Sequence, residues 1–357
     1  MNSIGQRFVL TTFGESHGPY VGGVIDGCPP GLQVDYEHIE KMLLRRKGKS
    51  SISTARSEKD QPVFISGLLD GITTGTPIAY IFPNGDHKSN DYDPLKEIYR
   101  PSHADYSYQA RYGIRDHRGG GRASARETVV RVVAGAIAIQ LLEQQGVHIL
   151  SYTSQIGNTS LPDKYNNDFT MEDVVKSITG CPSKKEDNMM YQALLKARDE
   201  GDSLGGTVST IIQGAPAGWG NPLFDKLDAR LAAAMMSIGA AKGFEMGDGF
   251  DMTRMKGSEA NDPFEVINGK IVTATNHSGG VQGGITNGAD ICFRTAFKPI
   301  ASISKKQKTI NSQGDNTTIE ITGRHDASVF PRVLPVVDAM TALTLVDIYL
   351  TRYKENL

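Results

Sequence analysis

Between positions 128 and 142 the chain reads TVVRVVAGAIAIQLL. Apolar residues at this density occupy nearly every face of a helix, so the segment is predicted to be a core helix buried on all sides. A fold that contains it must supply layers around it. Ala134, Gly135, Ala136 and Ala138 would let those layers approach closely. Ser124 and Glu127 have the S-x-x-E spacing of a capping box, in which the Ser124 hydroxyl accepts from the Glu127 N–H and Glu127 reaches back. Directly before the helix stand Gly119, Gly120 and Gly121, with Arg115, Arg118, Arg122 and Arg126 around them. A helix N-terminus attracts anions, and glycine lets backbone come close to a ligand. Arg126 and Arg131 would sit where water is scarce and need partners. Carboxylates such as Asp116 and Glu127 are the structural alternative, but the glycine run favours an anionic ligand.

Bulk properties narrow the class. A length of 357 residues points to about two domains or one large one. The net charge of −2 exerts no global pull on nucleic acid or an anionic membrane, so the arginine clusters read as local devices. Cys28, Cys181 and Cys292 are odd in number and far apart, which fits a reducing compartment and neither a disulfide frame nor a thiolate metal site. No H-E-x-x-H or acidic ladder marks a metal. No cleavable signal and no apolar run of about 20 residues is visible. The expectation is a soluble cytoplasmic protein.

Along the chain, RFVLTTF and VGGVIDG read as strands around a tight GESHGPY turn, and DYEHIEKMLLRRKG as a helix ending in Arg45, Arg46 and Lys47 with Gly48 as its stop. VFISGLLDG and TPIAYIFPN are a further pair of strands. The tyrosine-rich stretch before the core helix reads as irregular, with Pro101 disfavouring helix at Arg100. From about 151 to 200 the chain turns polar and reads as a peripheral insertion ending in a helix. GGTVSTIIQGAP is a strand, FDKLDARLAAAMMSIGAAKGFE a helix, and ADICFRTAFKP a strand burying Ile291, Phe293, Thr295 and Phe297. Pro335 opens a last helix. Strands and helices recur without a βαβ rhythm, which favours α+β over a doubly wound sheet. Gly48-Lys49-Ser50 lacks the leading glycine of a P-loop, and GGVQGG lies outside a βαβ unit with no acidic residue at the distance a Rossmann NAD site needs.

Candidate chemistry concentrates in loops. His17 lies in GESHG beside Ser16, and His103 in RPSHADYSY, both between glycine or proline punctuation. A single histidine is ordinarily structural or solvated, yet both sit where functional residues gather and could donate protons near neutral pH. GRHDASVFPRVLP adds Arg324, His325, Asp326 and Arg332, and NHSGGVQGGITNG adds further glycine loops. Many guanidinium groups, proton-handling histidines and glycine loops together suit a multiply anionic small molecule beside a flat or phosphorylated cofactor.

Several stretches in order, TTFGESHG, GCPPGL, RPSHADYSYQARYG, RDHRGGGRASARETVVRVVAGAIA, NHSGGVQGGITNG, FKPIASIS and GRHDASVFPRVLPVVDAM, resemble the chorismate synthase family across nearly the whole chain. The resemblance implies one domain over residues 1–357, a β-α-β sandwich with helices between two antiparallel sheets, and a homotetramer. It implies a 1,4-anti elimination of phosphate from 5-enolpyruvylshikimate 3-phosphate, with reduced FMN and no net redox change. His17 and His103 match the family's proton-handling histidines, and Asp326 with Ser16 a proton relay. Arg45, Arg46, Arg126 and Arg332 would meet the substrate's anions. Arg122, Ala123, Ser124, Gly239, Ala240, Gly283, Lys298, Pro299, Ile300, Ala301, Ser302 and Arg324 would line FMN. Ala123 stands where many members have serine, Gly239 where proline or asparagine is usual, and Ala327-Ser328 where Pro-Cys is common. Near Ser51 the arginine associated with a nicotinamide nucleotide (NADP) is missing, so reduced flavin is expected from an external supply. The competing readings are an FMN-dependent oxidoreductase or flavin reductase, and a module binding RNA or phosphoinositide. Arginines beside buried helices, with Trp219 the only tryptophan, argue against the last.

Overall fold

A computed structural model describes residues 1–48, 60–85, 95–321 and 326–352. The helices are α1 (Tyr36–Lys47), α2 (Asp105–Tyr112), α3 (Thr128–Glu143), α4 (Met171–Lys176), α5 (Lys184–Asp199), α6 (Leu227–Met236), α7 (Gly257–Ala260) and α8 (Leu334–Arg352). One antiparallel sheet is built from β1 (Ser3–Ile4), β2 (Val9–Phe13), β3 (Tyr20–Asp26), β4 (Val63–Phe64) and β5 (Ile78–Pro83), in the order β1-β2-β3-β5-β4. A second contains β6 (His148–Ile156), β7 (Thr159–Ser160), β8 (Gly206–Gln213), β9 (Ala241–Met246) and β10 (Ile291–Phe297), in the order β9-β10-β8-β6-β7.

The core helix forms as expected. From Thr128 to Leu142 every residue of α3 except Arg131 is buried. It rests on β2 and β3, while α8 rests on β6 and β8, and the two helices pack on each other. Gly135 makes that crossing possible: a Cβ there would lie 2.2 Å from the Ala339 Cβ and 2.3 Å from its Cα. From the first sheet, buried Tyr80 donates its hydroxyl to the Val130 carbonyl at 2.7 Å. The helices thus lie between two antiparallel sheets, the sandwich that the resemblance implied. Side chains of both sheets join one core cluster.

Four readings are corrected. The stretch before the core helix is not wholly irregular, because α2 begins once Pro101 and Ser102 are passed and stops at Gly113 in the left-handed region (φ 72°). Residues 151–156 are not peripheral, since they belong to β6 in the second sheet. Their polar appearance came from hydroxyls that are satisfied internally: Ser151 with Thr210 at 2.8 Å, Thr153 with the Thr179 carbonyl at 2.7 Å, and Ser154 with Thr207 at 2.9 Å. AAKGFE is strand rather than helix, because Ala240 turns the chain at φ 71° and β9 then pairs with β10. Finally, the window Leu334–Thr351 of α8 is long and apolar enough to cross a membrane, but 83% of it is buried inside the protein. Asp347 of this helix accepts the backbone N–H groups of Gln6, Arg7 and Phe8 and pairs with Arg230, fastening the N-terminal segment to the core.

Candidate active site

The capping box is not the device that starts α3. The Ser124 hydroxyl accepts from the Arg126 N–H at 3.3 Å and caps a short 3₁₀ turn, while buried Glu127 pairs with Arg131 at 3.0 Å. Two 3₁₀ turns, Gly121–Ala123 and Ala125–Glu127, therefore carry the chain from the glycine run into the helix. All three glycines have positive φ (63°, 89° and 54°), a region costly for any side chain with a Cβ.

What approaches this bare backbone is protein. A Cβ on Gly119 would lie 2.3 Å from His17 Cε1 and 2.6 Å from its Nδ1, and one on Gly120 would lie 3.0 Å from His103 Cε1 and 3.3 Å from its Nε2. The two histidines, 86 positions apart in sequence (103 − 17), thus meet the same three-residue run. The Ser16 hydroxyl is 3.2 Å from His17 Nδ1. Asn84, at the end of β5, donates to the carbonyls of Glu15 and Gly18 and fixes the loop that carries His17.

His103 is held from the other side. Its Nδ1 lies 2.9 Å from a carboxylate oxygen of Asp105, which also takes three bonds from Arg100: from the backbone N–H at 3.0 Å, Nε at 2.8 Å and Nη2 at 2.9 Å. Arg115 adds a guanidinium nitrogen at 3.5 Å. Desolvation alone would raise the Asp105 pKa, but the bonds from Arg100 and His103 outweigh it and hold the carboxyl well below the usual range.

The arginines have carboxylate partners, which corrects the view that the glycine run left them to a ligand alone. Arg46 and Arg126 converge on buried Asp60, at 3.2 and 2.5 Å. Arg332 pairs with Asp326 at 2.5 Å and Arg131 with Glu127, while Arg45 reaches Asp338 inside the helical layer at 3.0 Å. These pairs also connect. Arg332 donates to the Arg46 carbonyl at 3.2 Å, and Arg126 donates to Asn84 at 3.0 Å, hence to the His17 loop. On the far side, Lys298 donates to the Ser102 carbonyl beside His103 at 3.1 Å. The Ile300 carbonyl accepts from Ser203, and Leu204 bonds Ala327 and Ser328, next to Asp326. Contacts and the short chain segments between them link one neighbourhood: His17, the glycines, His103 and Lys298 on one side, and Asp326, Arg332, Arg46, Arg126 and Asn84 on the other, with Asn84 returning to the His17 loop.

Other expected positions fall as follows. Arg122 is tied to Thr12 at 2.7 Å and to the Gly14 carbonyl at 3.3 Å, next to the His17 loop; Ala123 closes the first 3₁₀ turn. The Ala240 carbonyl accepts the Lys298 N–H at 2.9 Å, and Gly239 precedes it with nothing within 4 Å of an added Cβ. Pro299, Ala301 and Ser302 continue the Lys298 segment. Gly283 turns the hairpin of Val281–Gln282 and Ile285–Thr286, whose contacts run to Gly220 and Lys226 rather than to the histidine loops. Arg324, His325 and Ser51 lie outside the described residues. Sequence reasoning missed Asp60, Asn84, Arg100 and Arg115 as members of this site. Arg115 carried a signal, as one of the cations before the helix, and Arg100 lies in the same segment as Asp105; Asp60 and Asn84 are brought in by tertiary contact.

The family model described as chorismate synthase matches residues 8–350. Chorismate synthase of Porphyromonas gingivalis is 54% identical over 352 residues, covering 98% of this chain and 96% of the relative. That of Bacteroides thetaiotaomicron is 52% identical over 350 residues, covering 98% of each. A crystal structure of chorismate synthase superposes with a TM-score of 0.77 at 29% identity, covering 98% of this chain and 93% of the other. With the sandwich, the paired histidines and these relatives together, the chain belongs to the chorismate synthase family of carbon–oxygen lyases.

Proposed function

We propose that this chain converts 5-enolpyruvylshikimate 3-phosphate into chorismate and phosphate by 1,4-anti elimination, with reduced FMN bound. The observation that carries the reading is the meeting of His17 and His103 on Gly119 and Gly120, with Asn84 tying the His17 loop to Arg126 and, through it, to Arg46 and Arg332. The residues fit a phosphorylated planar cofactor. Lys298 is half-buried, and burial, then the nearby Lys242, depresses its pKa, so an anion placed beside it would stabilise the ammonium. Lys298 through Ser302, with Arg122, Ala123, Ser124, Gly239 and Ala240, would hold that cofactor; Arg324 and Gly283 extend the set on the family resemblance. Bound there, reduced FMN would supply electron density for the loss of phosphate, with no net redox change.

The protein's part is charge and proton placement. Arg46, Arg126 and Arg332 would bring guanidinium charge to the substrate's carboxylates and phosphate from within their pairs with Asp60 and Asp326, with Arg45 of α1 expected beside them. His17, against the Ser16 hydroxyl, and His103, against Asp105, hold protons on either side of the glycine run. Asp326 with Ser16 completes the relay. The assembly is a homotetramer in the cytoplasm, bound to neither nucleic acid nor membrane, and draws reduced flavin from outside.

The test is an anaerobic phosphate-release assay with photoreduced FMN, following flavin absorbance. Many turnovers without net flavin oxidation are expected; oxidation matched to product would make the chain an oxidoreductase instead. In the same assay His17→Ala and His103→Ala should each lose turnover by about 10²-fold or more while retaining FMN. Full activity in either would remove that histidine from the chemistry.

A further inference from the structure

Five nitrogens face the Asp105 carboxylate: three of Arg100, one of Arg115 and Nδ1 of the His103 ring. The carboxyl is 3% exposed and faces two guanidinium groups, Arg100 with two of its nitrogens at 2.8 and 2.9 Å and Arg115 at 3.5 Å. Held between these cations it is a carboxylate and only accepts hydrogen bonds. The 2.9 Å contact with His103 Nδ1 therefore requires the proton on the ring. The ring is also confined. Its main chain closes a tight turn, with Ser102 at φ 58° and the His103 N–H on the Arg100 carbonyl at 3.2 Å, and its Cε1–Nε2 edge lies against Gly120.

We propose that Asp105 is the positioning residue for His103: its carboxylate fixes the imidazole with Nδ1 protonated, so that Nε2 is the nitrogen presented to the reacting group. Arg100 and Arg115 hold the carboxylate, and the chain Arg100–Asp105–His103 is an orienting relay of the kind that sets a catalytic histidine's tautomer. The idea rests on the reading of His103 as a proton-handling group in the proposed reaction. The alternative, that Asp105 serves only as counter-ion to the two arginines, makes different predictions.

The imidazole ¹⁵N resonances of the full-length protein, with His103 assigned by its loss in His103→Gln, read the tautomer directly. The parent is expected to show Nδ1–H; a neutral ring protonated only at Nε2 overturns the proposal without any Asp105 variant. Asp105→Asn should then give a mixture of tautomers and lower kcat by on the order of 10²-fold with KM nearly unchanged. In the His103→Gln background the same change should cost nothing further. An equal loss in both backgrounds, or a shifted tautomer with kcat retained, assigns Asp105 to the counter-ion role alone. If Asp105→Asn does not fold, Asp105→Glu keeps the charge, displaces the oxygen and is read by the same cycle. Failure of the parent to form chorismate would reject the proposed function while leaving the tautomer result standing.

Discussion

Gly113 and Gly119 share a backbone problem and differ in their surroundings. Both are left-handed, at φ 72° and 63°, but an added Cβ meets nothing within 4 Å at Gly113 and the His17 ring at 2.3 Å at Gly119. Gly113→Ala should cost only the conformational strain, about 1–2 kcal/mol. Gly119→Ala should cost that and also displace His17, so turnover falls by at least 10-fold relative to Gly113→Ala. Urea unfolding and steady-state rates of the two variants separate the terms; equal turnover would mean that His17 tolerates displacement. The glycine run was legible in sequence as a demand for close approach. That the approaching groups are His17 and His103 was not, because residues 17, 103 and 119 are joined only through the fold. The arginines follow the same rule: their types suggested an anion site, whereas Asp60 and Asn84, which fix Arg126, gave no local sign.

The apolar periodicity of α3 dictates a helix with no solvent face, and its Ala–Gly cluster dictates that something lies against it at backbone distance. The partner is α8 at Ala339. Gly135→Ala gains about 1 kcal/mol in helix propensity, but its methyl would lie 2.3 Å from the Ala339 Cα. Overpacking of about 1–3 kcal/mol should win, lowering the urea midpoint; a midpoint at or above the parent's would mean that the two helices separate without loss. The elements misread in sequence share a cause. In β6, serine and threonine hydroxyls paired across the sheet and to a nearby carbonyl imitate an exposed segment, and in β9 pairing with β10 overrides an alanine-rich helical pattern.

At the scale of the whole molecule, burial governs the three thiols. Cys28, Cys181 and Cys292 are free and buried, and desolvation pushes each thiol up to about 12. A thiol reagent should label none of the three in the folded protein and all of them in denaturant; rapid labelling of one in native buffer would contradict its burial. Asp105 sets an acid limit. Its carboxyl is held low in the folded state, so its contribution to stability is full above the unfolded carboxylate range near ~3.9 and is lost as pH falls below that range. Asp105→Asn should flatten that part of the stability–pH curve, which thermal melts from pH 7 to 3 would register. By itself the sequence determined a fully buried helix, the alternating buried face of β10, and a set of histidines, arginines and glycine loops with the order of one family. Those properties are local, since periodicity and residue type act within a few positions. Only the tertiary structure decided that Asp60 neutralises Arg126, that Asp338 meets Arg45, and which ring meets which glycine, because each of these contacts depends on where the two sheets and the helices between them bring separate segments.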